Sequence, residues 1–104
     1  MEALEHIRNK ILDRNSLNRQ LTQWRKKGKH IVFTNGCFDL VHRGHVEYLA
    51  AAADQGDVLL IGLNSDHSVS RLKGPHRPII DQYSRALLLS ALEFVDAVVL
   101  FEED

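Results

Sequence analysis

FTNGCFDLVHRGH, residues Phe33 to His45, is the stretch on which the fold turns. A hydrophobic run ends, a loop follows with an asparagine, a glycine and an aspartate, and then two histidines three apart bracket a second glycine. In an open parallel sheet the loop after a strand is the usual phosphate site, because the helix that follows offers free N–H groups and the positive end of its dipole. Gly36 can let backbone approach a ligand closely, and Gly44 removes a side chain that would stand between the amides and a phosphate. With the helix beginning near Arg43, His42 and His45 fall on one side of its entrance, where imidazoles can donate to a polyphosphate. A rival reading makes Asp39, His42 and His45 an aspartate and two imidazoles on one metal ion. A third is capping alone. The metal reading leaves both glycines unexplained and finds no further ligand at a matching spacing, so the phosphate cradle is the better account.

The neighbouring segments decide whether such a sheet exists. HIVFT before the loop is a short β-rich run, and DVLLIGL is near-continuously apolar, as a parallel strand covered on both faces must be. Between them Val46, Leu49, Ala50 and Ala53 share one helical face, with Gly56 where a C-cap belongs. Asn64-Ser65-Asp66 offers caps for a short helix through Arg71, KGPHRP is a loop, and Asp81 can cap a last helix carrying Ala86, Leu89 and Leu92 inward, before the strand AVVLF. Strand and helix alternate, so the fold class is α/β: a Rossmann-like parallel sheet with flanking helices and right-handed crossovers. Ahead of it, Leu4, Ile7, Ile11, Leu17, Leu21 and Trp24 recur at helical spacing, with Asn15-Ser16 as break and cap. This predicts a helical extension over residues 1–28 and a nucleotide-binding domain over 29–104.

The whole chain has 104 residues, enough for one domain with a modest core. Thirteen Lys plus Arg against fourteen Asp plus Glu give a net charge of -1, so no nucleic-acid or anionic-membrane partner is expected. No apolar run approaches the roughly 20 residues of a membrane span, and the acidic N-terminus has no secretory h-region. Cys37 is the single cysteine, which excludes an internal disulfide and fits a reducing cytoplasm, the expected location.

GCFDLVHRGHVEYL resembles the nucleotidyltransferase family marked by His-x-Gly-His, the cytidylyltransferase-like family. The resemblance runs from about His30 to Phe101. Asn64-Ser65-Asp66, Arg71-Leu72-Lys73-Gly74 and Arg77-Pro78 make it most similar to the adenylyltransferases that act on a heptose 1-phosphate. Cytidylyltransferases for glycerol 3-phosphate share the histidines and stand as the alternative, as does a nucleotide-binding module without turnover. The resemblance implies that His42 and His45 contact a triphosphate, and that Asn35, Gly36, Cys37, Phe38 and Asp39 shape the nucleotide pocket beside Gly44. It further implies that Lys73 holds phosphate oxygens, that Arg85 lies near the triphosphate, and that Asn64 and Asp66 line the sugar side. His42, His45 and Lys73 are then the catalytic set, Mg²⁺ arrives with ATP or CTP, no metal is bound by the protein itself, and the other partners are small molecules.

Plainer readings compete. Lys73 and Arg77 in a polar loop are often solvated surface, Arg85 could snorkel from an apolar helix, Asp66 could be only an N-cap, and Cys37 lacks a base and reads as packing. The family pattern continues with further strands and a Ser/Thr-rich segment after VVLFEED, so the usual domain is expected to be incomplete at its C-terminus here. Its first half should order the strands 3-2-1, leaving HIVFT as a sheet edge. Such an edge is covered by the N-terminal helices, paired with a second chain or prone to aggregate, and a homo-oligomer is the expected state.

Overall fold

The structure, a computed structural model, describes residues 2–102. Four parallel strands form one sheet: β1 (Ile11–Leu12), β2 (Ile31–Gly36), β3 (Val58–Asn64) and β4 (Ala97–Phe101), in the order β1-β4-β3-β2. The central strand β3 is buried at every position, which is why its sequence is apolar without alternation. The three later strands follow the predicted order, and β2 pairs with β3 alone among the described residues.

Helices α3 (Arg43–Ala53) and α5 (Gln82–Ser90) pack on one face of the sheet, and α4 (Asp66–Lys73) packs against β3. Leu49 of α3, Ala86 and Leu89 of α5 and Phe38 of the first loop meet Leu59, Ile61, Leu63 and Val98 in the core. The helix starts are where side-chain acceptors allow them. Ser65 caps α4 by accepting from the Ser68 N–H, and Asp81 caps α5 by accepting from the Ser84 N–H at 2.9 Å. Asp66 is therefore the first residue of α4 and not its cap.

The N-terminal stretch corrects the sequence reading. The spacing predicts two helices broken at Asn15-Ser16, with Ile11 in the first, but between α1 (Glu2–Arg8) and α2 (Arg14–Lys26) Ile11 and Leu12 form β1 in register with Val98 and Val99. The backbone of β4 would otherwise lack a partner on that side, and the β-branched Ile11 fits a strand as well as a helix face. The break comes earlier than Asn15-Ser16: Asp13 caps α2, accepting from the Ser16 N–H at 2.7 Å. The extension thus extends the sheet beside β4, at the edge opposite β2. Beyond that, Leu17 and Asn18 of α2 reach the sheet face that carries Phe33, Asn35 and Phe101.

Candidate nucleotide-binding site

The loop leaving β2 is built from the inside out. Phe38 takes a left-handed backbone conformation, φ 45°, which turns its ring back under Gly36 and edge-on to His45, with centroids 5.2 Å apart. A Cβ on Gly36 would lie 3.0 Å from that ring, so this glycine makes room for Phe38 as well as for any ligand. Asp39 follows, buried, and its carboxylate is fully employed. One oxygen accepts from the N–H groups of Ile79 at 2.7 Å and Ile80 at 3.1 Å, and the other accepts from Nε of Arg77. Burial opposes its ionisation, but the Ile80 amide, Arg77 and the Ile79 amide outweigh it, and the net pKa lies below the ordinary carboxylate range.

At the entrance of α3 the two histidines cap the helix reciprocally. Nδ1 of His42 accepts from the Gly44 N–H at 3.0 Å, and Nδ1 of His45 accepts from the His42 N–H at 3.3 Å. A nitrogen that accepts carries no proton, so each neutral ring holds its proton on Nε2. The rings stack with centroids 4.0 Å apart. Burial and the neighbouring His42 hold the His45 pKa below its usual value, against a smaller opposing effect of the Leu40 carbonyl. Gly44 accordingly gives its amide to His42 in this arrangement. A Cβ there would meet the His42 ring at 2.9 Å.

Asn35, Gly36, Cys37, Phe38, Asp39, His42, His45 and Lys73 line one cavity of about 550 Å³ beyond the carboxyl end of β2. Leu40, Tyr48 and Arg77, which the sequence reading did not assign to the site, line it too. The Tyr48 hydroxyl bonds to the buried Thr34 hydroxyl at 3.0 Å, and the spacing of α3 alone gave no sign of it. A larger cavity of about 880 Å³ opens on the other sheet face between α2 and Phe33, Val99 and Phe101. Its lining is mainly apolar and shares only Asn35 with the histidine cavity, so size does not select the chemical site.

Asn64, Asp66 and Arg85 stand behind the cavity wall, joined by Arg85. This guanidinium is wholly buried and donates from Nε to the Ile80 carbonyl at 2.8 Å. Nη1 donates to the carbonyls of Cys37 at 2.6 Å and Asn64 at 2.8 Å, and Nη2 to Asp66 Oδ1 at 2.8 Å. It does not snorkel. It ties the loops that leave β2 and β3 to the loop before α5, so in this arrangement it reaches the cavity through the backbone of Cys37. Gln82 adds a second clasp from α5, accepting from the Asp66 N–H at 2.8 Å.

The metal reading finds little support in this geometry. Both Asp39 oxygens are taken, the Nδ1 atoms face backbone amides, and among the described residues no three His, Cys, Asp or Glu side chains gather to hold an ion. No helix is long and apolar enough to cross a membrane among the described residues.

A parallel α/β sheet with a glycine-histidine loop opening a helix at its carboxyl end defines a Rossmann-like fold. Residues 33–104 match the family model described as cytidylyltransferase-like, and the chain belongs to that family. It is 58% identical over 95 residues to the bifunctional protein HldE of Methylobacillus flagellatus, covering 91% of this chain and 20% of that protein. Against the HldE of Nitratiruptor sp. identity is 65% over 79 residues, 76% of this chain and 17% of the relative. The chain thus spans about a fifth of the curated relatives it matches. Among solved structures, a lipopolysaccharide core biosynthesis protein from Thermoplasma volcanium superposes with a TM-score of 0.65 at 37% identity, over 72% of this chain and 60% of that one.

Proposed function

We propose that this domain is a nucleotidyltransferase that passes AMP from ATP to a sugar phosphate such as a heptose 1-phosphate, releasing pyrophosphate, in the synthesis of lipopolysaccharide core precursors. The observation that carries the reading is that His42 and His45, at the N-terminus of α3, share a cavity with Lys73. The kinship with HldE proteins and with a lipopolysaccharide core biosynthesis protein supports the acceptor class.

In the reaction a phosphate oxygen of the acceptor attacks the α-phosphorus of ATP. A new P–O bond forms as the bond from the α-phosphorus to the bridging oxygen breaks, and pyrophosphate leaves with the electron pair. No covalent enzyme intermediate is involved. Neutral imidazoles with the proton on Nε2 serve as donors to the triphosphate, and the α3 dipole favours the same anion. Lys73 supplies a positive charge to the same cavity. Catalysis is then mainly positioning and charge stabilisation, as is general in phosphoryl chemistry. Mg²⁺ neutralises the triphosphate, and since the cavity's single carboxylate is already bonded, it would be held by phosphate oxygens in place of a protein cage. Arg85, Asn64 and Asp66 support the loops that form the cavity.

The test is pyrophosphate release with ATP and a heptose 1-phosphate, compared with CTP and glycerol 3-phosphate. Release with the first pair supports the proposal. Release with the second pair alone moves the chain to the cytidylyl branch. ATP binding without release from any acceptor leaves a nucleotide-binding module. Association of two copies along β2, which among the described residues pairs with β3 alone, belongs to the same proposal, motivated by Phe33, which is 57% exposed. Sedimentation that finds only monomer at high concentration would exclude that association.

A further inference from the structure

The cavity has a second permanent cation whose geometry suits a phosphate. Arg77 lies three residues beyond the bend at Gly74, where φ is 105°, and its backbone is fixed at both ends. Its N–H donates to the Gly74 carbonyl at 3.1 Å, and its carbonyl accepts from the Ser70 hydroxyl. Its side chain is fixed by Asp39, through Nε alone. A guanidinium can meet a carboxylate with two parallel N–H groups. Here the second Asp39 oxygen is given to Ile79 and Ile80, and among the described residues the Nη groups of Arg77 have no protein partner. The side chain is 37% exposed while that of Asp39 is 3% exposed, so the pair is held from beneath with its donor end toward the cavity.

The charges around it complete the case. The residues lining the cavity that carry formal charge at neutral pH are Asp39, Lys73 and Arg77, with His42 and His45 beside them. Asp39 is neutralised locally by three donors, and the lining as a whole is left positive. An in-line displacement brings two anions together on opposite sides of one phosphorus. With the histidines and the α3 N-terminus on the triphosphate, the acceptor's phosphate needs a cation on the wall formed by the segment after α4. Arg77 offers two free N–H-bearing nitrogens there, the planar fork that fits phosphate oxygens.

We propose that Arg77 binds the phosphate of the acceptor, a phosphomonoester dianion, with Asp39 as the buttress that aims it. This rests on the nucleotidyltransferase reading. The test compares Arg77→Met and Arg77→Lys with the parent protein in pyrophosphate release, varying heptose 1-phosphate at saturating ATP and the reverse. In Arg77→Met the KM for the sugar phosphate should rise about 10- to 100-fold, the loss of a charge-assisted pair, with the KM for ATP held within about twofold. Arg77→Lys should recover part of the loss. An unchanged acceptor KM, or a rise confined to ATP, would overturn the assignment.

A second measurement needs no variant and no turnover. Phenylglyoxal labelling of the parent protein, mapped by mass spectrometry, should be slowed at Arg77 by heptose 1-phosphate and by high inorganic phosphate, but not by ATP alone. Equal labelling with and without the sugar phosphate overturns the proposal even if Arg77→Met fails to fold. If no nucleotide and acceptor pair gives pyrophosphate, the reaction assignment fails by itself, and protection of Arg77 still decides whether this phosphate site exists.

Discussion

The imidazoles of His42 and His45 lie stacked 4.0 Å apart at an interplanar angle of 26°, each accepting a backbone N–H through Nδ1. Protonation of His45 would abolish its acceptor role and place a cation against its neighbour. Its pKa is depressed by burial and by His42, so the folded chain binds this proton less well than the unfolded chain does. The stabilisation is therefore complete above about pH 6.5, the unfolded histidine value, and is lost as pH falls below it. Thermal melts from pH 7.5 to 5 should show this decline. His45→Gln keeps an acceptor for the cap but cannot titrate, and should flatten it. Parallel melting curves for variant and parent would contradict the assignment.

Gly44→Ala should separate stability from binding. The new Cβ would sit 2.9 Å from the His42 ring, which can swing away because it is the end of a side chain. Losing that cap costs about 1 kcal/mol, and replacing a helical glycine by alanine returns about 1 kcal/mol, so the melting point should barely move. The stacked pair, however, should come apart. Nucleotide affinity measured by calorimetry is expected to fall about tenfold, the worth of one lost charge-assisted contact. Unchanged affinity would mean that the position of the His42 ring does not matter to binding.

Arg85→Met should act on the frame. Four hydrogen bonds from a fully buried guanidinium disappear, and the carbonyls of Cys37, Asn64 and Ile80 lose a donor together. The carbonyls left without a donor cost about 1–3 kcal/mol each where they are buried, while Asp66, 42% exposed, can turn to water. Urea unfolding should read that loss. Arg85→Lys should recover little, since one ammonium cannot span four acceptors in three loops. A loss below about 1 kcal/mol would show that water replaces the guanidinium.

What the sequence made legible follows from the range of the interactions. HIVFT, DVLLIGL and AVVLF read as strands, and Asp81 as a cap, because local hydrophobicity and short-range hydrogen bonds determine them, whereas Asn64-Ser65-Asp66 offered three caps of which Ser65 is the one used. The strand at Ile11 and Leu12 was hidden, since its pairing partners are Val98 and Val99 at the far end of the chain. The histidine cavity was legible as a motif, but its far wall was not. Asp39 meets Arg77 across 38 residues, and Arg85 reaches Cys37 across 48, distances over which spacing in sequence carries no signal. Read alone, Arg77 belonged to a polar loop and Arg85 to an apolar helix.

One carboxylate, that of Asp39, fixes both the loop after α4 and the guanidinium beside the cavity. Asp39→Ala strands the Ile79 and Ile80 amides and frees Arg77, and should cost about 1–3 kcal/mol, because the two stranded donors are only partly buried. Asp39→Asn keeps an oxygen for the two amides but loses the charge, and should cost less. The two variants also differ from the parent in how they respond to acid. Although burial works against it, the Asp39 pKa is depressed overall, so the carboxylate stabilises the fold above about pH 3.9 and that stabilisation is lost as pH falls through the lower folded value. The gap in unfolding free energy between parent and Asp39→Asn should therefore be widest near pH 7 and narrow at pH 3. Urea titrations at both pH values check it: a gap that stays constant would mean the contribution comes from shape alone, and that Arg77 is not held by the charge of Asp39.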